Sequence, residues 1–213
     1  TKGFPPFRFN SVSYRRTLHR VNPPNSRKVG QKIISCAAGE CKGDGEVQPR
    51  TEGPGRGEEG SKLKLTQHFL TQNDCYQAGR TIVPRGIMVH STGVAQPDVE
   101  VFLKSWDRPG VNACVHAFVH TGGVVQTLPW DRRGWHAGTP RAGGTSANNT
   151  HISFEILEPA GHTYRGGTIV GYDAERNAGY FAAVYRNAVE LCAMQCRRSG
   201  LDPMEDILDH SEG

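Results

Sequence analysis

The chain has 213 residues, of which 36% are hydrophobic and 22% charged, with a formal net charge of +4. That length supports one sizeable domain with an appendage, and no apolar run approaches the roughly 20 residues of a bilayer span. The mild positive charge suits an anionic surface such as a cell wall without calling for nucleic acid.

Residues 1–62 read as a low-order, basic, Pro/Gly-rich extension. Pro5-Pro6, Pro23-Pro24 and Gly53-Pro54-Gly55-Arg56-Gly57 interrupt any period. The apolar clusters there, Val12 to Tyr14 and Val29 to Ala38, bury too little surface to offset the entropy of ordering. The start carries neither an initiator Met nor the charged-then-apolar layout of a signal peptide. A longer natural chain is therefore expected.

From Ser61 the character changes, and residues 63–213 read as one domain. Leu63 to Leu70 is a short element. Ile87–Val89, Cys114–Val119, Val124–Thr127 and Ile152–Leu157 are apolar runs of strand length. Thr121-Gly122-Gly123 turns the second into the third as a hairpin. Pro97 to Trp106 reads as a helix with Val99, Phe102 and Leu103 on one face. A Gly/Ala/Ser/Asn-rich loop runs from Trp135 to Thr150, a length often reserved for function. Tyr172 to Arg198 is the strongest helix, with Phe181, Val184, Tyr185, Ala188, Cys192 and Cys196 at spacings of three and four. Asp173 suits its start, Arg197 and Arg198 its last turn, and Gly200 its stop. Strands interspersed with helices imply an α/β or α+β domain with a mixed sheet. The six cysteines, Cys36, Cys41, Cys75, Cys114, Cys192 and Cys196, do not resemble a disulfide framework, and the chain reads as reduced.

The chemistry gathers on histidines. His90 ends the run Gly86-Ile87-Met88-Val89-His90-Ser91-Thr92-Gly93, where a rigid strand delivers an imidazole to a turn. His116, His136 and His151 also stand beside strand ends or Gly turns, and His210 follows Ile207-Leu208. Within Ile152-Ser153-Phe154-Glu155-Ile156, alternation sends Phe154 and Ile156 one way and Ser153 and Glu155 the other. A glutamate in an apolar strand is costly to bury unless it is paired or lines a wet cleft. Zinc suits such a set, because it takes neutral imidazoles and makes hydroxide available near neutral pH. A nearby carboxylate then shuttles the proton.

These segments, with Val115-His116-Ala117-Phe118, Gln126-Thr127-Leu128-Pro129-Trp130, Gly134-Trp135-His136-Ala137-Gly138, Asn149-Thr150-His151 and Asp209-His210-Ser211-Glu212-Gly213, occur in one order. In that order they resemble the zinc-dependent N-acetylmuramoyl-L-alanine amidases of type 2. That group includes phage endolysins and shares its fold with peptidoglycan recognition proteins. The resemblance runs from about Leu65 to Gly213. It implies a central mixed β-sheet flanked by helices, with Zn2+ in a surface cleft. It implies His90 and His210 as metal ligands and Glu155 as the carboxylate that assists water. His116 would be a catalytic residue beside Glu155, with it or His136 stabilising the oxyanion, and Val115 stands where many members carry Tyr. Trp135, His136, Asn149 and Trp130 would contact substrate. The family's third ligand, an Asp or Cys, is expected beyond Gly213, so the domain reads as truncated there. The implied partner is peptidoglycan, with no nucleic acid and no membrane insertion, and the implied state is a monomer acting at the bacterial cell wall. The alternative is a muropeptide-binding module that has an incomplete metal site and does not cut.

Overall fold

The apolar runs assemble into a six-stranded mixed sheet in the computed structural model, which describes residues 63–138 and 145–209. Its strands are β1 (Leu65–Gln67), β2 (Gly86–Ser91), β3 (Ala117–His120), β4 (Gly123–Gln126), β5 (His151–Ile156) and β8 (Ile207–Asp209). They lie in the order β1-β4-β3-β5-β2-β8. Only the β3–β4 pair is antiparallel, closed by the tight turn at residues 121–122. The β3–β5, β5–β2, β2–β8 and β1–β4 pairs are parallel. A separate small hairpin joins β6 (Thr163–Arg165) to β7 (Thr168–Val170).

Among the described residues three α-helices accompany the sheet: α1 (Asp74–Ala78), α2 (Val99–Trp106) and α3 (Ala178–Ser199). Register partners point to the same side, so the pairings sort every strand residue onto one of two faces. On one face Ile87, Ile152, Phe154, Ala117, Val119 and Val124 pack with Ala188, Leu191, Cys192 and Cys196 of α3. On the other, Phe118 and Val125 pack with Phe102 and Leu103 of α2, with Leu70 and Cys75 alongside. This second face also carries Met88, His90, Ser153 and Glu155. No helix among the described residues is long and apolar enough to cross a membrane.

The long helix departs from the expected stripe at its start. It begins at Ala178, and Asp173 instead accepts from the Arg176 amide in a preceding turn. Phe181 is 55% exposed and stacks on Tyr185. The buried positions start one turn later, at Val184, and include Leu191 and Gln195. Residues 1–62, with Cys36 and Cys41, lie outside the described residues.

Candidate active site

β2 and β5 run parallel in the middle of the sheet, and the register sets His90 directly beside Glu155. Both are near the carboxyl ends of their strands, where open α/β sheets place their crevices. Both face away from α3. His90 is 7% exposed and Glu155 6%. Burial raises the Glu155 carboxyl well above the usual carboxylate range, and the neighbouring Glu158 adds to this. Its Oε2 has no hydrogen-bond partner among the described residues.

His136 completes the visible cluster. Its Nδ1 shares a hydrogen bond of 3.1 Å with His90 Nε2, and the rings meet edge to face. Its Nε2 is buried and has no hydrogen-bond partner among the described residues. Burial lowers its pKa well below the ordinary imidazole value, and the His90 ring acts the same way. Asn148 sets the backbone here. Its Oδ1 accepts from the amides of His136 and Ala137 at 2.7 and 2.9 Å, and its Nδ2 donates to the Ala137 carbonyl at 2.8 Å. Gly134 lets the rings crowd together, since a Cβ there would lie 2.9 Å from the His136 ring and 3.3 Å from the His116 ring.

His116 has a different place from the one expected of a reacting group. It is fully buried, and both ring nitrogens are committed to the chain. Nδ1 accepts from the Ser153 amide at 3.0 Å, and Nε2 donates to the Arg132 carbonyl at 2.8 Å. An amide can only donate and a carbonyl only accept, so the ring is neutral with its proton on Nε2. Burial pushes its pKa down to about 4. Trp130 is also buried, at 7% exposure, and stacks on His116 at 6.3 Å. It offers little surface to a substrate. Trp135 is half-buried and exchanges two backbone hydrogen bonds with Cys114. Asn149 accepts from Arg133 Nε. His151 opens β5 in register with Gly86, at the other end of the strand from Glu155.

His210 lies outside the described residues. The residue before it, Asp209, is the register partner of Val89, the residue before His90. Among the described residues no group of three His, Cys, Asp or Glu is arranged to hold a metal ion. The donor types nevertheless suit zinc: an imidazole at His90, a second ring in contact with it, and a buried carboxyl oxygen without a hydrogen-bond partner among the described residues.

One feature had no clear sequence signal. Glu158 reads as a loop residue before Pro159, yet it is 9% exposed and ties three segments together. Its carboxylate accepts from the Gly93 amide at 2.9 Å, from His162 Nε2 at 2.9 Å, and from the Tyr164 hydroxyl at 2.9 and 2.8 Å. It thereby anchors the turn that follows His90 to the β6 hairpin. Only the spacing of polar residues across 158–164 hints at it.

A sheet with these faces and this cluster of histidines and glutamate belongs to a recognisable class. The family model for N-acetylmuramoyl-L-alanine amidase matches residues 79–213, well over half of the chain. The chain belongs to that family. The bifunctional autolysin of Staphylococcus epidermidis is 26% identical over 206 residues, covering 95% of this chain but 13% of that protein. The N-acetylmuramoyl-L-alanine amidase CwlH of Bacillus subtilis is 28% identical over 100 residues, covering 46% of this chain and 39% of its own length. The chain thus spans only a minor part of these relatives. Two solved structures share the fold. The PlyG catalytic domain superposes with a TM-score of 0.52 at 20% identity, covering 70% of this chain and 79% of its own. PlyL gives 0.51 at 20% identity, covering 70% and 82%.

Proposed function

We propose that this chain hydrolyses the amide bond between N-acetylmuramic acid and L-alanine in peptidoglycan, with zinc as cofactor. The observation that carries the reading is the register of β2 and β5, which sets an imidazole and a buried carboxylate side by side at the mouth of the sheet. Family membership supports the same bond. His90 and His210 would hold the ion, with a further ligand supplied beyond them. Bound there, zinc polarises an amide carbonyl and makes water a nucleophile near neutral pH.

The chain's own residues do the rest. Glu155, with its raised pKa, takes the proton of the attacking water and returns it to the leaving nitrogen. His136 steadies the His90 ring through their shared hydrogen bond, and its place on the 132–136 loop sets it beside the substrate approach. Trp135 and Asn149 line the approach as substrate contacts. His116 and Trp130 act beneath, as a rigid support for β5 and the 132–136 loop. In this reading residues 63–213 are the catalytic unit and residues 1–62 an extension to it.

The test is direct. Full-length protein is expected to clear peptidoglycan suspensions and to release new L-alanine amino termini, and a chelator is expected to stop both. Release of reducing sugar ends instead would overturn the assignment. Muropeptide binding without metal and without cleavage would favour a recognition module.

A further inference from the structure

Two thiols stand together beneath the loop that carries Trp135 and His136, outside the groups used above. Cys75 lies in the first turn of α1, and Cys114 leads into β3. They are 3% and 0% exposed, and both are free thiols. Cys75 Sγ donates to the Arg133 carbonyl at 3.1 Å. Cys114 exchanges backbone hydrogen bonds with Trp135 at 3.0 and 2.9 Å. Both residues are therefore pinned to the same few residues of one loop, and both side chains belong to one buried cluster. Cys114 Sγ donates to the Val115 carbonyl at 3.7 Å. The Cys114 side chain lowers the pKa of Cys75 against the opposing effect of burial, and the Arg133 guanidinium adds to the lowering. The Cys75 side chain and burial push Cys114 well up. Of the two thiols Cys75 therefore gives up its proton more readily and is the one to attack.

We propose that Cys75 and Cys114 form a thiol–disulfide couple that closes by exchange with a low-molecular-weight disulfide. The Cys75 thiolate attacks one sulfur of the reagent and expels one small thiolate, giving a mixed disulfide. Cys114 then attacks the Cys75 sulfur and expels the second. Two protein thiols thus give up two electrons and two protons, which leave on two molecules of small thiol. α1 has five residues, and local opening of so short a helix admits the reagent. The new bond closes a loop of about 40 residues and fastens α1 to the segment paired with Trp135.

The experiment uses the full chain and oxidised glutathione, followed by alkylation and non-reducing peptide mapping. Peptides containing Cys75 and Cys114 should appear joined. Tm should rise by about 10 °C and fall again with dithiothreitol. Cys75→Ser should lose both effects. If that variant fails to fold, Cys114→Ala serves, with glutathione left on Cys75 and no rise in Tm. The proposal is overturned if both thiols of the wild-type protein stay reduced and are alkylated after the glutathione treatment, if glutathione stays on Cys75 while Cys114 is alkylated, or if either cysteine pairs with a different one.

Discussion

Glu155 and Glu158 lie three residues apart and have opposite fates. Glu155 is buried with one oxygen unpartnered among the described residues, whereas Glu158 accepts from a backbone amide, an imidazole and a phenol. The first is equipped to move a proton and the second to hold structure. Glu155→Gln keeps the shape and removes the base, so kcat on peptidoglycan should fall by roughly 10²–10⁴, with Tm little changed. A variant retaining a tenth of wild-type kcat would remove Glu155 from the reaction. Glu158→Ala should act the other way round. It strips the buried His162 and the half-buried Gly93 amide and Tyr164 hydroxyl of their acceptor and should cost about 1–3 kcal/mol of stability, read from urea midpoints. A loss below about 0.5 kcal/mol, the range of an ordinary surface change, would show that the knot holds nothing.

Among the elements, the central strands were legible because their apolar runs are short, continuous and bounded by turn residues. Expected Ile87–Val89 became Gly86–Ser91, and expected Ile152–Leu157 became His151–Ile156. The facing of Glu155 away from Phe154 followed from alternation alone. Short elements were not legible in the same way. β8 has three residues and exists because Ile207–Asp209 completes the edge beside β2. α1 depends on Asn73, a residue whose partners are far off in sequence. Its Oδ1 accepts from the Cys75 amide at 2.9 Å as the N-cap. Its Nδ2 donates to the carbonyls of Trp106 and Ala113 at 2.9 and 3.0 Å. His116 was misjudged for a related reason: position in a motif does not reveal that Ser153 and Arg132 occupy both nitrogens. Asn73→Ala removes a cap and takes a donor from the Trp106 and Ala113 carbonyls, at a cost of about 2–3 kcal/mol or roughly 8 °C in Tm. Asn73→Ser keeps a capping oxygen and should lie between wild type and alanine. Equal losses for both variants would mean that the cap contributes nothing.

The folded molecule as a whole sets its acid sensitivity through groups it keeps neutral. His116 is held neutral down to about pH 4, against an ordinary value of 6.5, because it is fully buried. Below pH 6.5 the unfolded chain takes up a proton that the folded chain refuses, so stability falls as pH drops from 6.5 toward 4. The shift corresponds to about 3 kcal/mol over that window. His136, lowered by burial, acts in the same direction. Glu155 acts against them. Its raised pKa lets the folded chain keep a proton that the unfolded chain releases above pH 4.5, so its contribution grows as pH falls. Wild-type protein should therefore show a shallow loss on acidification, while Glu155→Gln, freed of the opposing carboxyl, should show the full histidine slope. Urea unfolding of both in the presence of a chelator, from pH 7.5 to 4, measures the difference. Parallel curves would mean that Glu155 is ionised in the folded state, and a flat Glu155→Gln curve would mean that His116 takes its proton without unfolding the chain.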